Sequence, residues 1–393
     1  MNQELEKNNR KMNPFFLMVL LYAVIALLVA FQEAIITLLP LPIFTSLKWI
    51  RVHFITLGML TEAIFGSFAL IIASKTNNKL KTSWLMFFSL NAGLVSLILG
   101  FSLANEFMII SGGSLIFFST LLLFLDLIMA YRNVPKENNP ISLLFYIIGL
   151  FYLFIGILVG TGLWLGWSEM LLIEVPLEVH IHANNWGFLS LVFTGLLIDY
   201  FPVFAKKPLG SEKQLKLILV GMILGAFGLV FGPWFNVLPL IVIGLLSHLA
   251  GTAILLALLI KSCDHKRKNV GMMHLVSSYA WMIAPVLVSP FVIFKITGFD
   301  LVEPNAPQAL IYGWVLQFGF AMVPLLIRNY YTPGKERLGG NYISLVTNHI
   351  GALLLWGSIF VVEYSKMLHG LAYVFWAISI IPIAIEIKKI FDD

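Results

Sequence analysis

Cysteine is almost absent from this chain of 393 residues, where Cys263 stands alone. One thiol cannot close an internal disulfide, supply a CxxCH attachment for c-type haem or build an iron–sulfur cluster. Any resident metal must then be held by imidazoles. Charge is scarce as well. Asp, Glu, Lys and Arg make up 11% of the residues, less than half the roughly 25% of a soluble domain, which excludes a water-soluble globule. The formal net charge of +5 reads in such a chain as a topology signal before it reads as a nucleic-acid surface. Nucleic acid is excluded as a partner on that ground.

Apolar residues stand in place of charge, at 59% of the total. A membrane span needs about 20 of them, and apolar runs fall near 14–38, 47–74, 83–104, 107–131, 141–167, 177–203, 215–233, 237–260, 270–294, 306–327, 342–362 and 366–387. The expected fold is all-α, a polytopic membrane bundle of twelve transmembrane helices forming one domain over 1–393. The lipid bilayer is its first partner, and no length is left for a soluble domain. The first run follows Lys7, Arg10 and Lys11 as a signal peptide would, but it exceeds the roughly 7–15 apolar residues of a signal core and is expected to be retained. With the N-terminus inside, 21 of the 25 Lys and Arg residues fall in inner segments. Lys48, Arg51, Lys295 and Lys366 are left outside. Both termini are therefore expected on the cytoplasmic side of the plasma membrane.

A repeat runs through these spans. In span 2, RVHFITLGMLTEAIFG places Gly58 five and Gly66 thirteen residues after His53; in span 6, HANNWGFLSLVFTG places Gly187 and Gly195 at the same offsets from His182. Span 10 repeats the template without its imidazole, with Gly313 and Ala321 at those offsets from Gln308. Three four-helix stretches near 14–131, 141–260 and 270–387 are the simplest reading. Small residues at these positions are expected to face a neighbouring helix or a flat cofactor.

Polar residues in lipid are costly and normally point into the bundle, which makes the histidines the candidate ligands. His53, His180 and His182 lie near the outer ends of spans 2 and 6, His369 at the outer end of span 12, and His248 and His349 near mid-membrane. Neutral imidazole suits copper, iron and zinc. His180 and His182 stand about 200° apart around a helix at about 100° per residue, so their rings must face different neighbours. Each His also has a plainer role open to it, as an interhelical hydrogen-bonding group or a headgroup contact. His265 is expected in solvent, and His274 at the surface where span 9 begins.

Three acids fall within spans, Glu62 in mid-span 2 and Asp126 and Asp199 near the inner ends of spans 4 and 6. With no Lys or Arg at its depth, Glu62 is expected to be neutral. It is the candidate proton carrier. A regular helix puts Glu62 on the face opposite His53 and about 13 Å deeper.

The segment VHIHANNWGFLSLVFTGLLIDYFP resembles the H-x-H-x-N-x-x-G-[WF] helix of small haem–copper-oxidase-like membrane proteins related to the NnrS family. KWIRVHFITLG resembles the R-x-x-H or R-x-H haem-ligand helix of oxidase subunit I, and ALIYGWVLQFGF with NYISLVTNHIGALL resembles late helices of NnrS-like proteins. The resemblance implies twelve helices in three quasi-equivalent arcs, with non-covalent b-type haem, copper or both in the outer half. It also implies nitric oxide or oxygen as the diatomic handled. His53 matches the haem ligand and His180 with His182 the H-x-H, while Gly58 and Gly187 would lie at the cofactor. His248, His349 and His369 complete the candidate metal ligands. Two departures stand out: span 7 holds no His, and Gln308 and Leu310 replace the H-x-H of span 10. The standard oxygen-reducing centre cannot be assembled from what remains. The chain is thus either an oxidoreductase fed by a membrane or external electron donor, or a protective binder. A transporter or channel with an intramembrane His or Glu site is the alternative.

Overall fold

The computed structural model describes residues 13–35, 47–77, 83–135, 140–262 and 269–392. His265, Cys263 and the basic residues at 7–11, 79–81 and 266–268 lie outside the described residues. The described chain is helical, with no strand, and twelve helices are long and apolar enough to cross a membrane. They are α1 Pro14–Gln32, α2 Trp49–Thr76, α3 Trp84–Leu103, α4 Glu106–Asn133, α5 Ile141–Leu165, α6 Pro176–Ala205, α7 Glu212–Trp234, α8 Leu238–Ser262, α9 Val270–Ile293, α10 Val302–Tyr331, α11 Tyr342–Phe360 and α12 Val362–Asp392. This is a multi-pass, all-α membrane protein. Large apolar side chains such as Leu28, Phe88, Leu103 and Ile243 are exposed on its helices, a surface that only lipid solvates well.

Local chemistry explains where several helices start. The side chains of Ser83, Asn105 and Asn269 accept the Met86, Met108 and Met272 amide protons and cap α3, α4 and α9. Ser211 with Gln214, and Asn341 with Ser344, form capping boxes for α7 and α11. Each cap satisfies an otherwise orphaned amide at a helix start.

The chain divides into two compact units, one of residues 1–67 with 263–393 and the other of residues 68–262. These borders differ from the ends of the three four-helix stretches read from sequence. In the second unit α3 pairs with α4, α7 with α8, and α5 packs on both α4 and α6. Glycine sets the closeness of the pairs. A Cβ on Gly228 would lie 2.5 Å from the Gly244 Cα, and one on Gly225 2.5 Å from the His248 Cβ; only bare backbone lets α7 and α8 approach so far. In the first unit α1 packs against α2 and α12, α11 pairs with α12, and α10 is buried along its whole apolar window.

The backbone of the template helices is not uniform. Each contains a π-helical turn: Phe54–Leu60 in α2, Ala183–Leu189 in α6 and Ile311–Val315 in α10. The template glycines Gly58, Gly187 and Gly313 all sit inside these turns, and each receives an aromatic side chain from the helix before it, Tyr22, Tyr152 and Trp281 respectively. Thr61 supports the first turn by donating its hydroxyl to the Thr56 carbonyl at 2.8 Å, a bond to the residue five back. Such i→i+5 turns are rare and cluster at functional sites. They also alter the angular count. The regular 100° step that set Glu62 opposite His53 does not hold across Phe54–Leu60.

Candidate functional site

His53 closes the short α-helical segment before the first π-turn. Its Nδ1 donates to the Trp49 carbonyl one turn back at 2.8 Å, and its ring stacks on Trp49 with centroids 4.0 Å apart. His180 and His182 stand in the same position relative to the second π-turn. His180 Nδ1 donates to the Gly156 carbonyl of α5 at 2.8 Å, and its ring lies over Gly160, where a Cβ would meet it. His182 turns the other way, to the Leu229 carbonyl of α7 at 2.6 Å, with Glu178 4.0 Å off. The two rings face different helices, as their spacing requires. Asn184 donates to the His180 carbonyl at 2.8 Å and fills the space above Gly156. One carbonyl thus anchors Nδ1 of each of the three imidazoles. A carbonyl only accepts, so Nδ1 carries the proton and the lone pair is on Nε2.

The mid-membrane histidines are held differently. His248 is buried, with Nε2 3.0 Å from the Ser190 hydroxyl, Nδ1 3.3 Å from that of Thr252, and the Trp186 ring edge-on at 5.1 Å. His349 accepts the Trp281 indole proton on Nδ1 at 2.9 Å and sets Nε2 2.9 Å from the Ser277 hydroxyl. An indole N–H can only donate, so Trp281 keeps that nitrogen unprotonated. Gln317 joins the group by donating to Ser277 at 2.6 Å and accepting from Asn348 at 2.9 Å. His369 Nδ1 lies 3.3 Å from the Tyr373 hydroxyl.

His274 departs from its expected place. It is fully buried, with Nε2 3.0 Å from the Ser344 hydroxyl, because the segment between α10 and α11 folds in and Gly340 presses against the ring. Arg51 departs too. Grouped by sequence with the outer charges, it is wholly buried in α2. Its Nη2 donates to Gln308 Oε1 at 2.8 Å, and its Cζ lies 4.1 Å from the Tyr373 ring centroid and 5.6 Å from that of Tyr312. Gln308, which holds the His position of the template in α10, thus serves as an acceptor for a cation. Sequence reasoning missed Arg51 as a site residue, although its position two residues before His53 in an apolar run was a signal.

Glu62 is wholly buried, within electrostatic reach of the Tyr22 that packs on Gly58. Asp199 pairs with Lys75 at 2.8 Å and accepts the Tyr146 hydroxyl proton at 2.8 Å. Among the described residues no three His, Cys, Asp or Glu side chains converge to hold a metal ion.

No family model and no curated protein matches this chain. The oxidase-like and NnrS-like resemblance rests on the quoted segments alone. What the donors offer is single imidazoles, each oriented by its own main-chain carbonyl. The faces of Gly58 and Gly187 are filled by Tyr22 and Tyr152, so those glycines act here as seats for the protein's own rings.

Proposed function

We propose that this chain is an integral membrane haem protein of the oxidase-like kind, with NnrS-like proteins as its nearest model. It acts on, or protects against, nitric oxide or a similar diatomic, and both termini lie on the cytoplasmic side of the plasma membrane. One observation carries the reading: His53, His180 and His182 each give the Nδ1 proton to a main-chain carbonyl. Metal-binding imidazoles are typically anchored in this way, which fixes ring orientation and raises the basicity of Nε2. His349 instead commits both ring nitrogens to side chains of α9, and the buried His248 of α8 sets its Nε2 against Ser190 of α6; both serve as links between helices.

A bound haem would supply an iron that takes up a diatomic ligand and exchanges electrons with a donor in the membrane or outside it. The residues do the rest. His53 is the first choice of ligand, its plane held by Trp49. Glu62, buried further along α2, carries protons through the apolar middle, where a protonatable group is needed. The transport alternative draws on the same acid and on the Lys75–Asp199 pair. Purification in detergent from cells supplied with haem precursor and copper separates the two. The haem reading expects a Soret band and close to one haem per chain. A colourless protein containing neither haem nor copper would refute it and favour transport.

A further inference from the structure

In the unit of residues 68–262, successive helices run in opposite directions, so the ends of α2, α4, α6 and α8 and the start of α7 share one side. Every Lys and Arg among its described residues falls there. The other side carries Glu106, Glu169, Glu174 and Glu178 and no Lys or Arg. Two of the cations are compensated, Lys75 by Asp199 at 2.8 Å and Lys216 by Glu212 at 2.6 Å. Lys206, Lys207, Lys213 and Lys261 are exposed and meet no carboxylate among the described residues.

The fold gathers these four lysines. Lys206 closes α6 in the left-handed conformation, with φ 56°, and Leu209 is buried behind the turn. Gly210 lies so near α8 that a Cβ on it would come within 2.8 Å of Leu258 Cδ1, and Ser211 then starts α7 with its capping box. The close pairs Gly221–Gly251, Gly225–His248 and Gly228–Gly244 run antiparallel; the same register carried to the start of α7 puts Lys261 level with Ser211. Away from the lysines the exposed surface is apolar. Lys213 heads a stripe of Leu217, Val220, Leu224 and Phe227 on α7, at the three- and four-residue steps that keep to one helix face, and exposed Ile260 adjoins Lys261 on α8.

We propose that this cluster is a docking surface for an anionic phospholipid, whose phosphate meets Lys206, Lys207, Lys213 and Lys261 and whose acyl chains lie along the exposed stripe of α7. Four cations without carboxylates call for an anion, and the apolar stripe leading away from them calls for one that carries hydrocarbon. Basic clusters beside membrane helices hold acidic headgroups for the same reason. A free phosphate would leave the stripe unused, and a zwitterionic headgroup would bring its own cation to the lysines. The inference does not depend on haem, since no imidazole takes part.

The test uses full-length protein, delipidated in a neutral detergent, and follows the unfolding midpoint and native mass spectra as phosphatidylglycerol or phosphatidylcholine is added. Saturable stabilisation by phosphatidylglycerol is expected, with phosphatidylcholine at least about tenfold weaker. Each lysine near an acidic headgroup contributes about fivefold in affinity. Lys206→Gln combined with Lys207→Gln should therefore weaken phosphatidylglycerol about 25-fold and leave the midpoint in lipid-free detergent unchanged, both side chains being exposed. Lys295→Gln, at an exposed lysine of the other unit, is the control and should change neither. Equal responses to the two lipids, full affinity in the double variant, an equal loss in Lys295→Gln, or a response to glycerol phosphate as strong as that to the lipid would overturn the inference.

Discussion

Gly58→Ala probes the contact that the template repeats. An ideal Cβ at Gly58 would lie 2.8 Å from Tyr22 Cγ and 2.9 Å from Tyr22 Cβ, against 3.4–4 Å for ordinary contact. The clash is with the root of the side chain and not its tip, so the whole ring, and α1 with it, must retreat by at least about 0.6 Å. Overpacking of this kind costs about 1–3 kcal/mol. Alanine also removes the entropic penalty of glycine in a helix, a gain of up to about 1 kcal/mol that blurs the single variant. A double-mutant cycle with Tyr22→Gly, which removes both clashing atoms, cancels that gain, because it is present with or without the Tyr22 side chain. The coupling energy should then equal the overpacking cost, about 1–3 kcal/mol. Reversible unfolding in mixed micelles, followed by tryptophan fluorescence, measures it. A coupling below about 0.5 kcal/mol, the level at which independent sites are simply additive, would refute the contact.

Three further outcomes follow from the same geometry. Gly357→Ala, where nothing lies within 4 Å of the added methyl, should be neutral or stabilise by up to about 1 kcal/mol; destabilisation in the same assay would count against the helix packing described. Asp199→Asn removes the carboxylate that Lys75 meets at 2.8 Å and should cost about 1.5–3 kcal/mol, and a double-mutant cycle with Lys75→Met should show coupling between the two positions; no coupling would show that the pair does not act as a unit. Trp281→Phe removes the indole proton that His349 accepts, so it should lower stability by about 1–3 kcal/mol and leave any haem spectrum unchanged, while a lost Soret band would place His349 nearer the cofactor than its hydrogen bonds do.

Hydropathy and the placement of Lys and Arg were enough to read twelve spans, and the structure moves their ends by a few residues. The helix of the second span begins at Leu47, as read, and runs on to Thr76 in place of 74. The divergence of His180 and His182 was also legible, since residues two apart on a helix point about 200° away from each other. The π-turns were not. An i→i+5 bond is a backbone event that leaves the order of apolar and polar residues intact, and only the coincidence of glycines at one offset hinted that these stretches were special. Burial of Arg51 and His274 was hidden for a related reason. Each lies near a helix end, where a polar residue normally meets headgroups, and each is enclosed by residues far along the chain, Gln308 and Tyr373 for one and Gly340 and Ser344 for the other.

The proposed function turns on His53, the carbonyl-anchored imidazole near the start of α2, as the haem ligand. The absorption spectrum of purified His53→Ala, set beside the unaltered protein and His248→Ala at matched folded content, tests it most directly. His53→Ala is expected to lose or strongly shift the Soret band, and His248→Ala, whose two ring nitrogens face Ser190 and Thr252, to keep it. An identical spectrum in all three proteins would contradict it.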